Sequence, residues 1–393
     1  LTVRLSDGST AVTASTGASD LSDLSANGGT GVTGAWSSGS VEITTAVTNV
    51  NDQPSLSAVT LGSEDEDVAD PSGATVQSLA AAVYGDATDD QTGITGGADA
   101  STALGGIAIV GNGATTEGVW QYSPDGTVWN DIGEGVSAPS DGNAILLPTT
   151  ALIRFVPASD FNGTPGGLTV RASDAPIATI QTGQTVTETA TGSWSSTAAL
   201  NTTIDPVNDA PTATSTAAVS LTAVVEDTPA ASIAGETVSS LTQSRFQDLR
   251  DQITGGSSSN DYHGIAIVDH TPDASGTWQY QLDGTGSFTD VGSRGLSNAL
   301  VLDGNDVLRF VPAADYEGDA PDLTVRLVED GNGTPPTGGT EVDLSGGSAT
   351  GGTTRYAAAS EAFTIGTSVT PVNDPPVNTL PGPTVAEDAT GVS

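Results

Sequence analysis

The stretch RFVPASDFNG at residues 154–163 returns as RFVPAADYEG at residues 309–318, a separation of 155 residues. Such self-similarity at a fixed spacing indicates a repeated domain, and small changes in the spacing indicate loop insertions. Three further pairs of strings keep nearly the same separation: LTVRASD at 168–174 with LTVRLVED at 323–330, GIAIV at 106–110 and 264–268, and WQY at 120–122 and 278–280.

The recurring strings are short, apolar and bounded by Gly, Asp-Gly or Pro, which is typical of strands in a β-sandwich. Lys and Met, which favour helices, are absent, so we expect an all-β fold with almost no helix. The clearest hairpin is predicted at residues 120–129, around an Asp125-Gly126 turn. We interpret its aromatic residues and their second copies as packing groups, with a sugar-binding platform as the alternative: Trp120, Tyr122, Trp129, Trp278, Tyr280 and Phe288.

Three junctions carry the same mark, a Val-Asn-Asp triplet followed one residue later by Pro. They are VNDQP at 50–54, VNDAP at 207–211 and VNDPP at 372–376. Each ends a Thr/Val-rich strand and precedes a fresh acidic segment. The sequence therefore predicts a truncated repeat at 1–52, complete sandwich repeats at 53–209 and 210–374, and the start of a further repeat at 375–393.

The charge of the chain is extreme, with 48 acidic residues against nine basic ones and a formal net charge of −39. A polyanion repels phosphate backbones and anionic membranes, so the sequence argues against a nucleic-acid or membrane partner and in favour of divalent cations. Cysteine is absent, so disulfides and thiolate metal sites are excluded. Calcium bound by oxygen ligands would then stabilise an extracellular domain in their place. With no Met, signal peptide or membrane span visible, we expect a piece of a longer protein.

Acidic residues recur in register with the repeat, which surface charge serving only solubility would not require. Calcium takes about six to eight oxygen ligands, so a site needs several segments to converge. At the junctions, Pro stiffens the chain beside side-chain and backbone oxygens, and the candidates there are Asn51, Asp52, Asn208, Asp209, Asn373 and Asp374.

Further candidates follow inside each unit. An acidic pair comes after each junction: Glu66 with Asp67, Glu226 with Asp227, and Glu387 with Asp388. A second pair follows an aromatic residue, and there Asp86 with Asp89 or Asp90 corresponds to Asp248 with Asp251; of the first two alternatives we favour Asp90. Late in each unit, Asp160 and Asp174 are matched to Asp315 and Asp330.

The junctions, the acidic pair that follows them and the FVPxxD and LTVR strings together resemble the cadherin-like repeats of giant bacterial surface adhesins, over essentially the whole chain. The resemblance implies tandem cadherin/Ig-like β-sandwiches in an elongated array, with calcium held between consecutive domains. Carried to the middle junction, the ligand roles fall on Glu66, Asp67, Asp160, Asp205, Asn208, Asp209, Asp248 and Asp251.

The sequence therefore predicts a calcium-stabilised stalk or fibre of a bacterial surface or secreted protein, and not an enzyme. No GxSxG, P-loop or RTX-type motif is present, and both histidines, His263 and His270, belong to one repeat only. The expected partners are calcium and neighbouring repeats or other copies of the chain. Two alternatives stay open: a self-assembling filament or sheath subunit, and a module that binds extracellular polysaccharide through the hairpin aromatics.

Overall fold

A computed structural model describes residues 2–3, 41–45, 50–93, 100–133 and 138–376 of the chain. The fold is all-β, as the sequence predicts, with strands in several sheets and two helices of five residues in this described part. The predicted part-repeats at 1–52 and 375–393, with Glu387 and Asp388, lie mostly outside the described residues. From the first of them the structure gives β1 (Thr2–Val3) and β2 (Val41–Glu42), which pair antiparallel.

The first unit comprises strands β3 to β16. Its helix α1 begins after Thr75, whose hydroxyl accepts a hydrogen bond from the Ser78 N–H and so caps the first turn. The elements are β3 (Ser55–Leu56), β4 (Val59–Thr60), β5 (Glu64–Asp65), β6 (Ala74–Thr75), α1 (Val76–Ala80), β7 (Tyr84–Gly85), β8 (Gly106–Asn112), β9 (Gly118–Ser123), β10 (Asn130–Asp131), β11 (Ala144–Pro148), β12 (Leu152–Pro157), β13 (Leu168–Ser173), β14 (Gln181–Gln184), β15 (Ala198–Asn201) and β16 (Ile204–Asp205).

The second unit comprises β17 to β31 and repeats this order with one additional short strand, β27 (Gly318–Asp319). Its helix α2 is capped in the same way, by the Thr237 hydroxyl. The elements are β17 (Thr212–Ala213), β18 (Val219–Ser220), β19 (Val224–Val225), β20 (Glu236–Thr237), α2 (Val238–Thr242), β21 (Phe246–Gln247), β22 (Tyr262–Asp269), β23 (Gly276–Gln281), β24 (Thr289–Asp290), β25 (Ala299–Asp303), β26 (Val307–Pro312), β27 (Gly318–Asp319), β28 (Leu323–Glu329), β29 (Glu341–Val342), β30 (Phe363–Gly366) and β31 (Ser368–Thr370), with 3-10 turns at Ala230–Ser232, Gln243–Arg245, Leu282–Gly284, Leu296–Asn298 and Ala359–Glu361.

Each unit contains a six-stranded and a four-stranded sheet. In the first unit the strand orders are β14-β11-β8-β13-β15-β4 and β10-β9-β12-β6, and in the second they are β18-β30-β28-β22-β25-β29 and β20-β26-β23-β24. The ladders inside these sheets are antiparallel, except that the early strands β4 and β18 pair in parallel with β15 and β30. This pairing places an early strand of each unit beside a late one, and in the first unit the next pair, β5 with β16, leads to the junction that follows the unit.

The two sheets of a unit enclose one apolar core. In the first unit, Ile107 and Ile109 of the six-stranded sheet belong to the same buried cluster as Trp120 and Phe155 of the four-stranded sheet. The intervening Ala108 belongs to a second cluster on the opposite face, with Ala144, Leu146 and Val186. Because both faces of β8 are covered, its sequence is continuously apolar and does not alternate. The second unit has the same two clusters.

Among the described residues, no helix has both the length and the apolarity that a membrane span requires.

Candidate metal centre

Two turns of the first unit place aspartates beside the chain that leaves it. Asp67 follows β5 and Asp160 follows β12, and both have left-handed backbone, with φ of 64° and 58°. Asp tolerates this conformation better than most residues other than Gly. The Asp160 N–H donates to Asp67 Oδ1 at 3.2 Å. With Asp209 of the junction, these residues bring one carboxylate oxygen each to within 4.8 Å of one another, and we call Asp67, Asp160 and Asp209 the middle trio.

The second unit repeats this arrangement at its own end. Asp227 and Asp315 have left-handed backbone, with φ of 56° and 57°, and the Asp315 N–H donates to Asp227 Oδ1 at 3.3 Å. Together with Asp374 they form a second trio with the same 4.8 Å spacing, and all three side chains are exposed. The side-chain amide of the neighbouring Asn373 donates to the Asp374 carbonyl at 3.2 Å.

A buried glutamate fixes the course of the chain into each junction. Glu66 is 2 % exposed, and its Oε1 accepts a hydrogen bond from the Val207 N–H at 2.6 Å. Its Oε2 accepts one from Asn162 Nδ2 at 2.9 Å. Glu226 holds the Val372 N–H in the same way at the next junction. Glu66 and Glu226 therefore position the Val-Asn-Asp segment as well as adding charge.

A buried acidic cluster lies at the other end of the first unit, where the chain enters it. Asp86, Asp89 and Asp174 are buried and bring one carboxylate oxygen each to within 4.8 Å of one another. The first junction covers this entry cluster, because the Asp52 N–H donates to Asp89 Oδ1 at 3.0 Å and Asn51 Nδ2 donates to Asp174 Oδ2 at 3.0 Å.

The corresponding side chains of the second unit are Asp248, Asp251 and Glu329, at the middle junction. The Asp209 N–H donates to the Asp251 carboxylate at 3.2 and 3.3 Å, and Asn208 Nδ2 donates to Glu329 Oε1 at 2.6 Å. These contacts match those of Asp52 and Asn51 in the first unit. The middle junction thus joins the middle trio to the entry cluster of the second unit.

The middle junction buries carboxylates whose negative charge is not fully balanced by the described hydrogen-bond donors or cationic side chains nearby. Within the described residues, no donor reaches three buried carboxylate oxygens, namely Asp209 Oδ2, Asp248 Oδ1 and Glu329 Oε2. The guanidinium of Arg250 is 3.7 Å from Asp209 Oδ1, but the Arg250 side chain is 56 % exposed. A buried carboxylate without a partner is strongly unfavourable, so these oxygens need a cation or a proton.

The pKa values of these carboxyls are raised accordingly. Burial raises the pKa of Asp209 to about 6, with the charges of Asp160 and Asp67 adding to the effect. Burial and the charge of Asp248 raise the pKa of Asp251 to about 7. Burial raises the pKa of Glu329 to about 8, against a hydrogen bond from Asn208 that lowers it.

We expect the metal-free chain to lose stability as pH rises from about 4 to about 8. The folded pKa values of about 6, 7 and 8 lie above the ordinary 3.8 of Asp and 4.5 of Glu. In that window the folded chain binds more protons than the unfolded chain, so the free energy of unfolding falls with rising pH. Urea titrations in chelator across this range would measure the effect. Constant or rising stability would contradict the burial and the raised pKa values of these carboxyls.

The structure places three of the sequence-predicted acidic side chains outside these clusters. Asp90 is exposed and bonds its own turn at Thr92, whereas Asp89 is buried in the entry cluster. Asp205 is exposed, and its contact with the site is its backbone carbonyl, which accepts from the Glu66 N–H at 3.0 Å. The counterpart of Asp174 is Glu329, because Asp330 is exposed and bonds Asp261 instead.

Sequence reasoning also missed the neutral side chains that complete the site. Asp86 Oδ2 accepts hydrogen bonds from both the N–H and the hydroxyl of Thr102. In the second unit the Asn260 N–H donates to Asp248 Oδ2, and Asn260 Nδ2 donates to Asp251 Oδ2. Glu329 could have been found from the sequence, because it lies 155 residues after Asp174 and the LTVR strings keep the same separation. Thr102 and Asn260 lie in loops of different sequence and gave none.

Comparisons with known proteins identify no family. No family model matches the chain, and no curated protein matches it. Among solved structures, an endo-fucoidan hydrolase of glycoside hydrolase family 107 is similar at 13 % identity with a TM-score of 0.19. The match covers 85 % of this chain and 31 % of that protein, so the chain spans about a third of the hydrolase's length. A TM-score this low carries no argument about fold or activity.

Proposed function

We propose that the chain is a calcium-stabilised structural repeat region of an extracellular bacterial surface or secreted protein, in which calcium bound at each junction holds consecutive units together. The observation that carries the proposal is the middle trio, Asp67, Asp160 and Asp209, together with the unpaired oxygen of the buried Asp209. The resemblance to cadherin-like repeats supports the same role, since such domains hold calcium between neighbours.

The donor set fits a hard cation. Every group of the trio and of the entry cluster is a carboxylate, and the described chain offers no thiolate there. Oxygen-only sites suit calcium or magnesium, and calcium tolerates the larger and less regular coordination that several loops provide. Asp67, Asp160 and Asp209 would hold the ion, with Glu66 and the entry cluster of the second unit supplying further negative charge.

Calcium would hold the two units together by neutralising the negative charge at the junction. Carboxylates from both units face one another at the middle junction, and like charges in a partly buried site repel. A divalent cation bound by Asp67, Asp160 and Asp209 replaces the repulsion among these carboxylates with attraction and offsets the cost of burying Asp209, whose N–H is held by Asp251 of the second unit. The bound state then favours one arrangement of the two units. A fixed arrangement of consecutive units resists bending, which is the property that a stalk needs.

The proposal is tested by comparing Asp209→Ala with Asp205→Ala in calcium titrations by calorimetry. Asp209 lies in the middle trio, so its loss should weaken calcium binding at that junction by at least about tenfold, equal to one lost charge-assisted interaction of roughly 1.4 kcal/mol. Asp205 is exposed two residues before the Val-Asn-Asp triplet, so its loss should leave affinity nearly unchanged. Equal affinities in the two variants, or no calcium binding to the unmodified chain, would refute the proposal.

A further inference from the structure

The two units also meet through a contact that involves no ion. Asn162, in the turn after β12, is 1 % exposed and reaches the loop of the second unit that follows Asp251. Its Nδ2 donates to Ser257 Oγ at 2.8 Å, and its Oδ1 accepts from the Ser257 N–H at 2.6 Å. The same Nδ2 donates to Glu66 Oε2 at 2.9 Å. Because a carboxylate can only accept, Glu66 fixes which end of the amide faces it.

The second-unit side of this contact is bound to the acidic entry cluster. The Ser257 hydroxyl, which accepts from Asn162, donates to the Asp251 carbonyl at 2.6 Å. The loop is closed on itself, since the Ile253 N–H donates to the Ser257 carbonyl and the Gly256 N–H to the Ile253 carbonyl. Movement of this loop therefore moves the backbone of Asp251, whose carboxylate holds the Asp209 N–H.

Glycine permits the close approach of the two loops. A Cβ on Gly256 would lie 2.2 Å from Asn162 Oδ1 and 2.7 Å from the Asn162 carbonyl oxygen, far inside contact distance. The φ of Gly256 is not in the left-handed region, so alanine could adopt its backbone conformation. The absence of a side chain at Gly256 is thus required by the neighbouring unit and not by the loop itself.

We propose that Asn162 and the Gly256-Ser257 loop form a metal-independent lock between the two units, and that this lock preorganises the middle junction for its cation. The second part rests on the function proposed above, whereas the first does not. At the end of the second unit the residue that matches Asn162 is Glu317, an exposed carboxylate that lacks the amide donor, so the described part of that junction does not offer the same contact. Preorganisation raises affinity because less freedom is lost on binding.

The variant Gly256→Ala tests the lock, because it inserts a methyl group between the units while the second unit can still fold. Gly347→Ala is the matched control, since Gly347 is in the same unit and a Cβ there would meet no atom within 4 Å. The chain has no cysteine, so Thr182→Cys and Ser287→Cys introduce one spin label in each unit at exposed positions. Pulsed electron paramagnetic resonance in chelator then measures the distribution of distances between the two spin labels, and so between the units.

In chelator we expect a narrower distribution for the unmodified chain and for Gly347→Ala than for Gly256→Ala. The variant Ser257→Ala, which leaves the loop backbone unaltered, should broaden the distribution as well and covers the case in which Gly256→Ala misfolds. Calcium should bind Gly256→Ala about tenfold more weakly, within the usual range of coupling between sites.

Unchanged distances in both variants would overturn the lock, even if calcium binds the chain as proposed. Broadening in the variants without any calcium binding would support the lock and refute the calcium function. Broadening with unchanged calcium affinity would overturn the preorganisation of the junction.

Discussion

Chelation of calcium is expected to lower the melting temperature of the chain by about 5–10 °C. A ligand present at roughly a hundred times its dissociation constant stabilises the folded state by about 2.7 kcal/mol per site. For domains of this size, each kcal/mol corresponds to about 2–4 °C. Differential scanning calorimetry with calcium and then with chelator measures the difference.

Magnesium at the same concentration is the control for simple charge screening. It demands a smaller and more regular octahedron, and it gives up water reluctantly, so its effect should be clearly smaller than that of calcium. A melt that is identical in calcium and chelator would contradict calcium stabilisation. Equal shifts in magnesium and calcium would show that the acidic surface is merely screened.

Replacement of Trp120 by alanine is expected to destabilise the first unit by about 3–5 kcal/mol, the usual cost of removing a large buried aromatic side chain. Trp120 is 0 % exposed, packs edge to face on Phe155 at 5.2 Å between ring centroids, and donates from Nε1 to the Gly166 carbonyl at 2.8 Å. Urea denaturation measures the loss. Val128, 61 % exposed in the same hairpin, provides the control, and Val128→Ala should change stability by less than about 0.5 kcal/mol.

This experiment also separates packing from sugar binding. Trp278 is buried like Trp120, and its Nε1 donates to the Pro321 carbonyl at 2.6 Å. The half-buried Trp129 and Phe288 are covered by guanidinium groups, with Arg154 at 3.9 Å and Arg309 at 3.4 Å from the ring centroids. A stable Trp120→Ala chain that had lost binding to polysaccharide would contradict the packing interpretation.

The fold was largely predictable because the same apolar strings recur in the sequence at a nearly constant separation. Strings such as GIAIV recur because their residues fill the same cores, and a sandwich follows from many short strands between turns. The covering of the outer face of β8 by Val186 and its neighbours was not predictable, because it depends on the path of an irregular segment.

The acidic site was predictable to the level of the segment but not always to the residue. Asp89 and Asp90 are adjacent, and the spacing of three between Asp248 and Asp251 favours Asp89, three residues after Asp86. The resemblance assigned Asp205 a ligand role, yet Ile204 points into the core, so strand alternation turns Asp205 outward. The role of Asn162 was not predictable from the sequence, since Asn favours turns on local grounds alone and its partner lies 95 positions away.

The most direct test of the calcium junction is a crystal structure grown with saturating calcium, with anomalous scattering data collected to locate the ion. We predict an anomalous peak at the middle trio, about 2.3–2.6 Å from carboxylate oxygens of Asp67, Asp160 and Asp209. Water without anomalous signal at those three side chains, at a calcium concentration that saturates the chain, would contradict it.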